Sequence, residues 1–254
     1  MTSSALGGAW TFVGASVTGT AHLARGCGCQ DWWGAAEFSG QNLVVAVADG
    51  AGSAAHAEPA ARIAVSSAIR AVMAQSTIVP SPGIEDMLEQ AFREVREELE
   101  LFAAWRSVAL ETYATTLSLV IAMDDCTGVA QTGDGIVVVR TGDGQLCPAS
   151  IPQHGVYANE TQFVTGPDGA KPGFLEIWEY GAAIAVLTDG LLPIAVDYID
   201  HTPHAPFFDP MLAEVATTTD ISRTSKHLAE FLASERVSSR TEDDKTLVLA
   251  ARRG

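Results

Sequence analysis

Six apolar residues, 43–48, run without a break into Asp49-Gly50-Ala51-Gly52. A continuous apolar run of that length suits a strand covered on both faces, and the glycines mark where it stops. The pattern on either side predicts further elements. Trp10–Val17 alternates loosely and reads as a first strand closing at Gly19. Residues 31–37 and 43–48 read as paired strands turning at Ser39-Gly40. Residues 54–74 are alanine-rich, with Ile63, Ile69, Val72 and Met73 spaced for a helix, and Pro59 falls in its first turn, where proline is tolerated. Ile84–Arg106 puts Ile84, Met87, Leu88, Ala91, Phe92, Val95, Leu99 and Phe102 on one face and its charges on the other, the pattern of an amphipathic helix.

Strand-like segments follow at 115–123, 128–131 and 136–140, separated by Asp124-Asp125 and Gly133-Asp134-Gly135. Glycine, proline and polar residues dominate 153–173, an irregular excursion. Strands resume at Phe174–Glu179 and 182–187. A proline-rich stretch, 193–210, then leads to a helix capped by Ser222 and carrying Leu228, Phe231 and Leu232, and residues 246–250 form a last strand. Strands in consecutive blocks, with helices in blocks of their own, predict an α+β fold. Nothing in the 254 residues reads as a linker, so one domain is expected over 1–254.

Composition narrows the function. No apolar run approaches the ~20 residues of a membrane span, and the N-terminus lacks the pattern of a signal peptide, so a cytoplasmic location is expected. A formal charge of −16 argues against nucleic acid as a partner. In a cytoplasmic chain the four cysteines, Cys27, Cys29, Cys126 and Cys147, do not predict disulfides. Nor does Cys27-x-Cys29 have the partner pair that a structural zinc site needs.

The acids are more informative. Asp49 ends one apolar strand, and Asp189-Gly190 ends another. Asp134 lies between two glycines before a strand, and Asp243-Asp244 precedes the final one. Each alone is an ordinary turn residue. Together they suggest carboxylates converging on one edge of a sheet, where like charges repel unless cations neutralise them. Oxygen donors of this kind suit hard cations such as magnesium or manganese.

These residues resemble the metal-dependent serine/threonine protein phosphatases of the type 2C class. The family's Asp-Gly-x-Gly matches Asp49-Gly50-Ala51-Gly52, its paired threonines match Thr115-Thr116, and its Gly-Asp-Ser resembles Gly133-Asp134-Gly135. Ser/Thr-Asp-Gly-Leu matches Thr188-Asp189-Gly190-Leu191, and Asp-Asn-x-Thr resembles Asp243-Asp244-Lys245-Thr246. Gly19-Thr20-Ala21-His22, Gly26 and Cys29-Gln30-Asp31, with Tyr157-Ala158-Asn159-Glu160-Thr161, resemble the second, bacterial-type subgroup. The resemblance implies a β-sandwich of two mainly antiparallel sheets flanked by helix pairs, with a flap at about 153–173. It implies two magnesium or manganese ions: Asp49 bridging them, the Gly50 carbonyl on one, Asp189 and Asp243 on the other. Asp134 with Asp189 would hold a weaker third ion, and Gln30 and Asp31 would orient metal-bound water. The implied reaction is hydrolysis of phosphoserine and phosphothreonine in proteins, opposite a serine/threonine kinase, with no covalent nucleophile.

The chain departs from that pattern where substrate phosphate is gripped. The family arginine would fall at Gly26, with Arg25 one residue away, and a histidine that some members carry after the first Asp-Gly is Ala51 here. His22, Arg25 and Arg140 are the candidates for gripping phosphate or protonating the leaving group, His22 first. Two other readings use the same residues: hydrolysis of small phosphate esters, and a catalytically silent member that binds phosphoproteins.

Overall fold

The computed structural model describes residues 9–77, 83–153, 161–197 and 199–253. Its strands are β1 (Trp10–Val17), β2 (Asp31–Phe38), β3 (Asn42–Asp49), β4 (Leu117–Ala122), β5 (Cys126–Thr132), β6 (Ile136–Thr141), β7 (Leu146–Pro148), β8 (Phe174–Glu179), β9 (Gly181–Leu187) and β10 (Lys245–Arg252). Its helices are α1 (Thr20–Arg25), α2 (Ala57–Gln75), α3 (Ile84–Arg106), α4 (Leu192–Ala195), α5 (Ala205–Thr217), α6 (Ile221–Ala233) and α7 (Glu235–Ser238). One five-stranded sheet runs β1-β10-β9-β6-β7 and the other β2-β3-β4-β5-β8, with antiparallel neighbours throughout. This is the expected α+β sandwich.

Side-chain alternation along β3 builds the layers. Leu43, Val45 and Val47 enter the core between the sheets with Val120, Val137, Ile184, Val186 and Val248. Val44, Ala46 and Ala48 face the other way, under α2 and α3. On the far sheet Ile136, Val138, Ala185, Leu187, Leu247 and Leu249 meet Phe208, Leu212, Leu228 and Leu232 of α5 and α6. Successive side chains of a strand point to opposite faces, so a strand buried on both must be apolar at every position, as 43–48 is.

Several details differ from the sequence reading. Helix α2 starts at Ala57 rather than 54, because residues 51–56 turn back to bond Ala114 and Thr112 through the amides of Ala51 and His56. The proline-rich stretch contains helix α5: one proline falls in its first turn, Pro210 lies inside it, and Phe207, Phe208, Leu212 and Val215 still form a buried face. Helix α6 is capped by Asp220, whose Oδ1 accepts the Arg223 amide at 2.9 Å, and not by Ser222. The expected flap falls partly outside the described residues, which include Thr161 of its motif but not 157–160; the stretch 161–173 is formed of turns. Arg96 of α3 donates to the carbonyls of Val164 and Gly166 there. No helix among the described residues is long and apolar enough to cross a membrane.

Candidate active site

Antiparallel pairing gathers the acids. In the β2-β3-β4-β5 sheet, β2 and β4 begin, and β3 and β5 end, at one edge. In the other sheet β1 and β9 end, and β6 and β10 begin, at one edge. The segment Gly133-Asp134-Gly135 crosses directly from β5 to β6, so the two edges are the same side of the sandwich. Asp31 starts β2 opposite Asp49 at the end of β3, Asp189 follows β9, and Asp243-Asp244 precedes β10.

The backbone under Asp49 is fixed by the paired threonines. Its N–H donates to Thr116 Oγ1 at 2.9 Å, and its carbonyl accepts the Thr116 amide at 2.8 Å and Thr115 Oγ1 at 2.9 Å. At Gly50 a Cβ would lie 2.3 Å from the Ala57 carbonyl oxygen, so only glycine lets the start of α2 press against this turn. Gln131 is buried and donates through Nε2 to the carbonyls of Gly133, Gly135 and Ile151, which sets the loop carrying Asp134.

Asp31 ties the sheets together. It is 1% exposed, and its Oδ2 accepts Thr188 Oγ1 at 2.9 Å and Thr246 Oγ1 at 2.8 Å, both from the opposite sheet. Burial pushes its carboxyl up to about 8, against the lowering effect of Thr246 and Thr188 and with the charges of Asp244 and Asp189. Burial likewise holds Asp49 well above the ordinary carboxylate range, assisted by Asp31, Asp189, Asp243 and Asp134. Asp189 is raised to about 7 by burial and then by Asp134 and Asp243, while the Asp49 side chain and the Gly190 amide lower it. The charges of Asp31, Asp134, Asp189 and Asp243 therefore all bear on Asp49.

Such a cluster fits cations by its chemistry. Asp31 Oδ1, Asp189 Oδ1 and Gln30 Oε1 are buried without a hydrogen-bond partner, and a buried charged oxygen left alone is costly. Among the described residues no group of three or more His, Cys, Asp or Glu side chains is placed to hold a metal ion on its own. Hard cations need none, since carbonyls and water complete their shells. Asp134 Oδ2 accepts Thr161 Oγ1 at 2.6 Å, which links the predicted flap to this edge.

The remaining predicted residues divide. His22, at 7% exposure, lies beside the edge: its Nδ1 is 2.9 Å from Asp244 Oδ1. The N–H is not directed along that line, so Nδ1 is also a buried nitrogen without a formed hydrogen bond. Arg25 is exposed at the end of α1, which Gly26 closes in the left-handed conformation at φ 72°. Arg140 is not available to the site: it lies at the far end of β6 from Asp134, paired with Asp209 at 2.5 Å. Cys29 is a neutral bystander, its thiol raised by burial and by Asp31 and Asp244, and Cys27 is exposed.

The sequence reading gave no role to Thr188, Thr246 or Asp244. A signal existed, because each belongs to a quoted motif: a hydroxyl or carboxyl beside an acid at a strand end, on the sheet opposite Asp31.

The family model described as protein phosphatase 2C matches residues 18–233. Serine/threonine-protein phosphatase 3 of Escherichia coli (strain K12) is 36% identical over 251 residues, covering 95% of this chain and 98% of that protein. The serine/threonine phosphatase Stp1 from Staphylococcus aureus superposes with a TM-score of 0.67 at 15% identity, covering 96% of this chain and 95% of the other. The catalytic domain of the serine/threonine protein phosphatase PstP, solved with two manganese ions, does so with a TM-score of 0.64 at 17% identity, covering 96% and 99%. At such identities these structures speak to the fold, whereas the family model and the curated relative span the site's residues from Gln30 to Asp189. The chain belongs to the protein phosphatase 2C family.

Proposed function

We propose that the chain is a metal-dependent protein phosphatase that hydrolyses phosphoserine and phosphothreonine in proteins, with water, which the cations would activate, as the nucleophile. The observation that carries this reading is the shared edge at which Asp31, Asp49 and Asp189 are all raised by burial and by one another's charge. The curated relative is itself a serine/threonine-protein phosphatase, which favours protein substrates over small esters. In the proposed ligand set Asp49, the Gly50 carbonyl, Asp189 and Asp243 would hold two ions. Asp134 with Asp189 offers a weaker third position. Oxygen donors alone suit hard cations such as magnesium or manganese. Bound cations of this kind hold phosphate and lower the pKa of water.

The chain's own groups supply the rest. Asp31, fixed by two threonine hydroxyls, and Gln30, with its free Oε1, orient the attacking water. Arg25 is exposed and permanently charged, suited to a two-point grip on phosphate. His22 lies beside the edge, its Nδ1 2.9 Å from Asp244, and with both ring nitrogens protonated would give one proton to the leaving serine oxygen as the ester O–P bond breaks and the water O–P bond forms, the water's own proton passing to solvent. A cytoplasmic setting opposite a serine/threonine kinase completes the proposal.

The test is hydrolysis of a phosphoserine peptide in chelator, then with manganese or magnesium restored. Activity should vanish and return. Full turnover in chelator would refute the metal-dependent reading, and turnover of an aryl phosphate alone would refute the protein substrate.

A further inference from the structure

The two outer faces of the sandwich are covered unequally. Over the β2-β3-β4-β5-β8 sheet α2 packs along α3, whereas over the other sheet α5 and α6 meet at only a few points. The Thr218 and Thr224 hydroxyls join them at one end, 2.8 Å apart. Phe207 and Phe231 meet at the other, with ring centroids 6.1 Å apart. Inside α5, Pro210 has no N–H to give the carbonyl four residues back, and its ring crowds the preceding turn.

A cavity of about 760 Å³ remains between the helices. Its floor is the outer face of the sheet, where Val13 of β1 stands opposite Leu249 of β10. Half-buried Ile194, Met211 and Phe231 stand in its walls. Its size falls within the range of small-molecule pockets, about 300–1,000 Å³. None of the clustered acids lines it.

The charges at its rim narrow the occupant. The chain has 15 lysines and arginines against 31 acids, and Arg62, Arg70, Arg93, Arg96, Arg140 and Arg252 all lie against carboxylates. Arg236 of α7 and Arg240 just beyond it line the cavity and are exposed. Among the described residues neither guanidinium has an ion-pair or hydrogen-bond partner. Glu214 is the one carboxylate among the described lining residues, and it faces His227 of α6 at 3.8 Å. Two unneutralised guanidinium groups beside an apolar cleft match a molecule that is apolar in its body and anionic at its head, since their planar forks fit the paired oxygens of a carboxylate.

We propose that this cavity binds a small apolar carboxylate, with its hydrocarbon between α5 and α6 and its head on Arg236 and Arg240. The site is separate from the acidic edge and does not rest on the phosphatase reading. Burial of the apolar body favours binding in proportion to its area. The charged head sets the preference over a neutral molecule of the same shape, because hydrogen bonds between ionised partners are roughly twice as strong as neutral ones.

The experiment is methyl NMR of the full chain, labelled at valine and leucine, in magnesium. It is titrated separately with octanoate, 2-naphthoate, 1-octanol and octylamine. The methyl signals of Val13, Val215, Leu228 and Leu249, which line the cavity, should shift saturably with at least one of the two acids. Octanoate alone would mark an aliphatic body, and 2-naphthoate alone an aromatic one. The alcohol of the matching body should bind about tenfold more weakly or worse, and octylamine should not bind. The double variant Arg236→Gln, Arg240→Gln should hold the acid no better than the alcohol while its affinity for the alcohol is unchanged. No saturable shift at these methyls with either acid, equal affinity for acid and alcohol, or unchanged acid affinity in the double variant would overturn the proposal. If the double variant fails to fold, the comparison of acid with alcohol on the wild-type chain decides alone.

Discussion

Without metal, the protein should gain stability as it is acidified through neutrality, the reverse of ordinary acid denaturation. A carboxyl whose folded value is raised binds its proton more tightly in the fold. Its stabilising contribution is fully present below the unfolded value and is lost as pH rises through the folded one. Asp189 goes from 3.8 to about 7, and each pH unit of displacement is worth about 1.4 kcal/mol. Ionised Asp189 thus costs the metal-free fold about 4 kcal/mol relative to its protonated form. Taking the pH from about 7.5 to about 5.5 should recover roughly 2 kcal/mol through Asp189 alone, on the order of 5 °C in Tm for a chain of this length. Asp31 and Asp49 shift in the same direction, but the three interact, so their contributions do not simply add. Calorimetry in chelator across that range, repeated in millimolar manganese, is the assay. With manganese the cations take the place of the protons, so the stabilisation they give should shrink as pH falls. A chelated Tm that stays flat or drops on acidification would refute mutual repulsion at this edge.

Other expectations follow from the same geometry. Asp49→Asn removes a charge from the centre of the cluster, so the metal-free Tm should rise while the manganese-induced increase and the activity disappear, as thermal scans and a phosphopeptide assay will show. Thr188→Val deletes a donor to Asp31 and the acceptor of the Thr246 amide, and should cost about 1–3 kcal/mol in a urea titration at constant m-value. Arg96→Ala frees the carbonyls of Val164 and Gly166 and should alter turnover of a phosphoprotein more than that of an aryl phosphate; equal changes would make the 161–173 stretch part of the catalytic core.

The sandwich was legible because its central strands are buried on both faces and so leave an unmistakable apolar run, as at 43–48. The acids were legible because Asp-Gly after such a run is locally conspicuous. Helix α5 was hidden by its prolines: one costs nothing in a first turn, and the loss at Pro210 is offset by a buried aromatic face that a local reading does not see. Strand β7 is three residues at a sheet edge ending in Pro148, too short for any alternation to register. The capping of α6 turned on which of two nearby polar residues precedes the first helical turn, and Asp220 does. Asp244 escaped for another reason. Its carboxylate accepts the Gly19 and Gln30 amides and lies beside His22, more than two hundred residues earlier in the chain, and no local pattern records that meeting.

The turn at Ser39-Gly40, where both residues take positive φ (45° and 94°), acts as a ruler for the chemistry at the other end of its hairpin. From Phe38 opposite Asn42, the ladder counts residue by residue to Asp31 opposite Asp49. At about 3.3 Å per residue the turn is roughly 20 Å from those carboxylates, yet it fixes which residue faces which. A slip of one position would carry Asp31 to the opposite face of its sheet, away from Thr188 and Thr246. Natural length variation should accordingly collect in the exposed 142–145 connection between β6 and β7, and spare this remote and otherwise unremarkable corner.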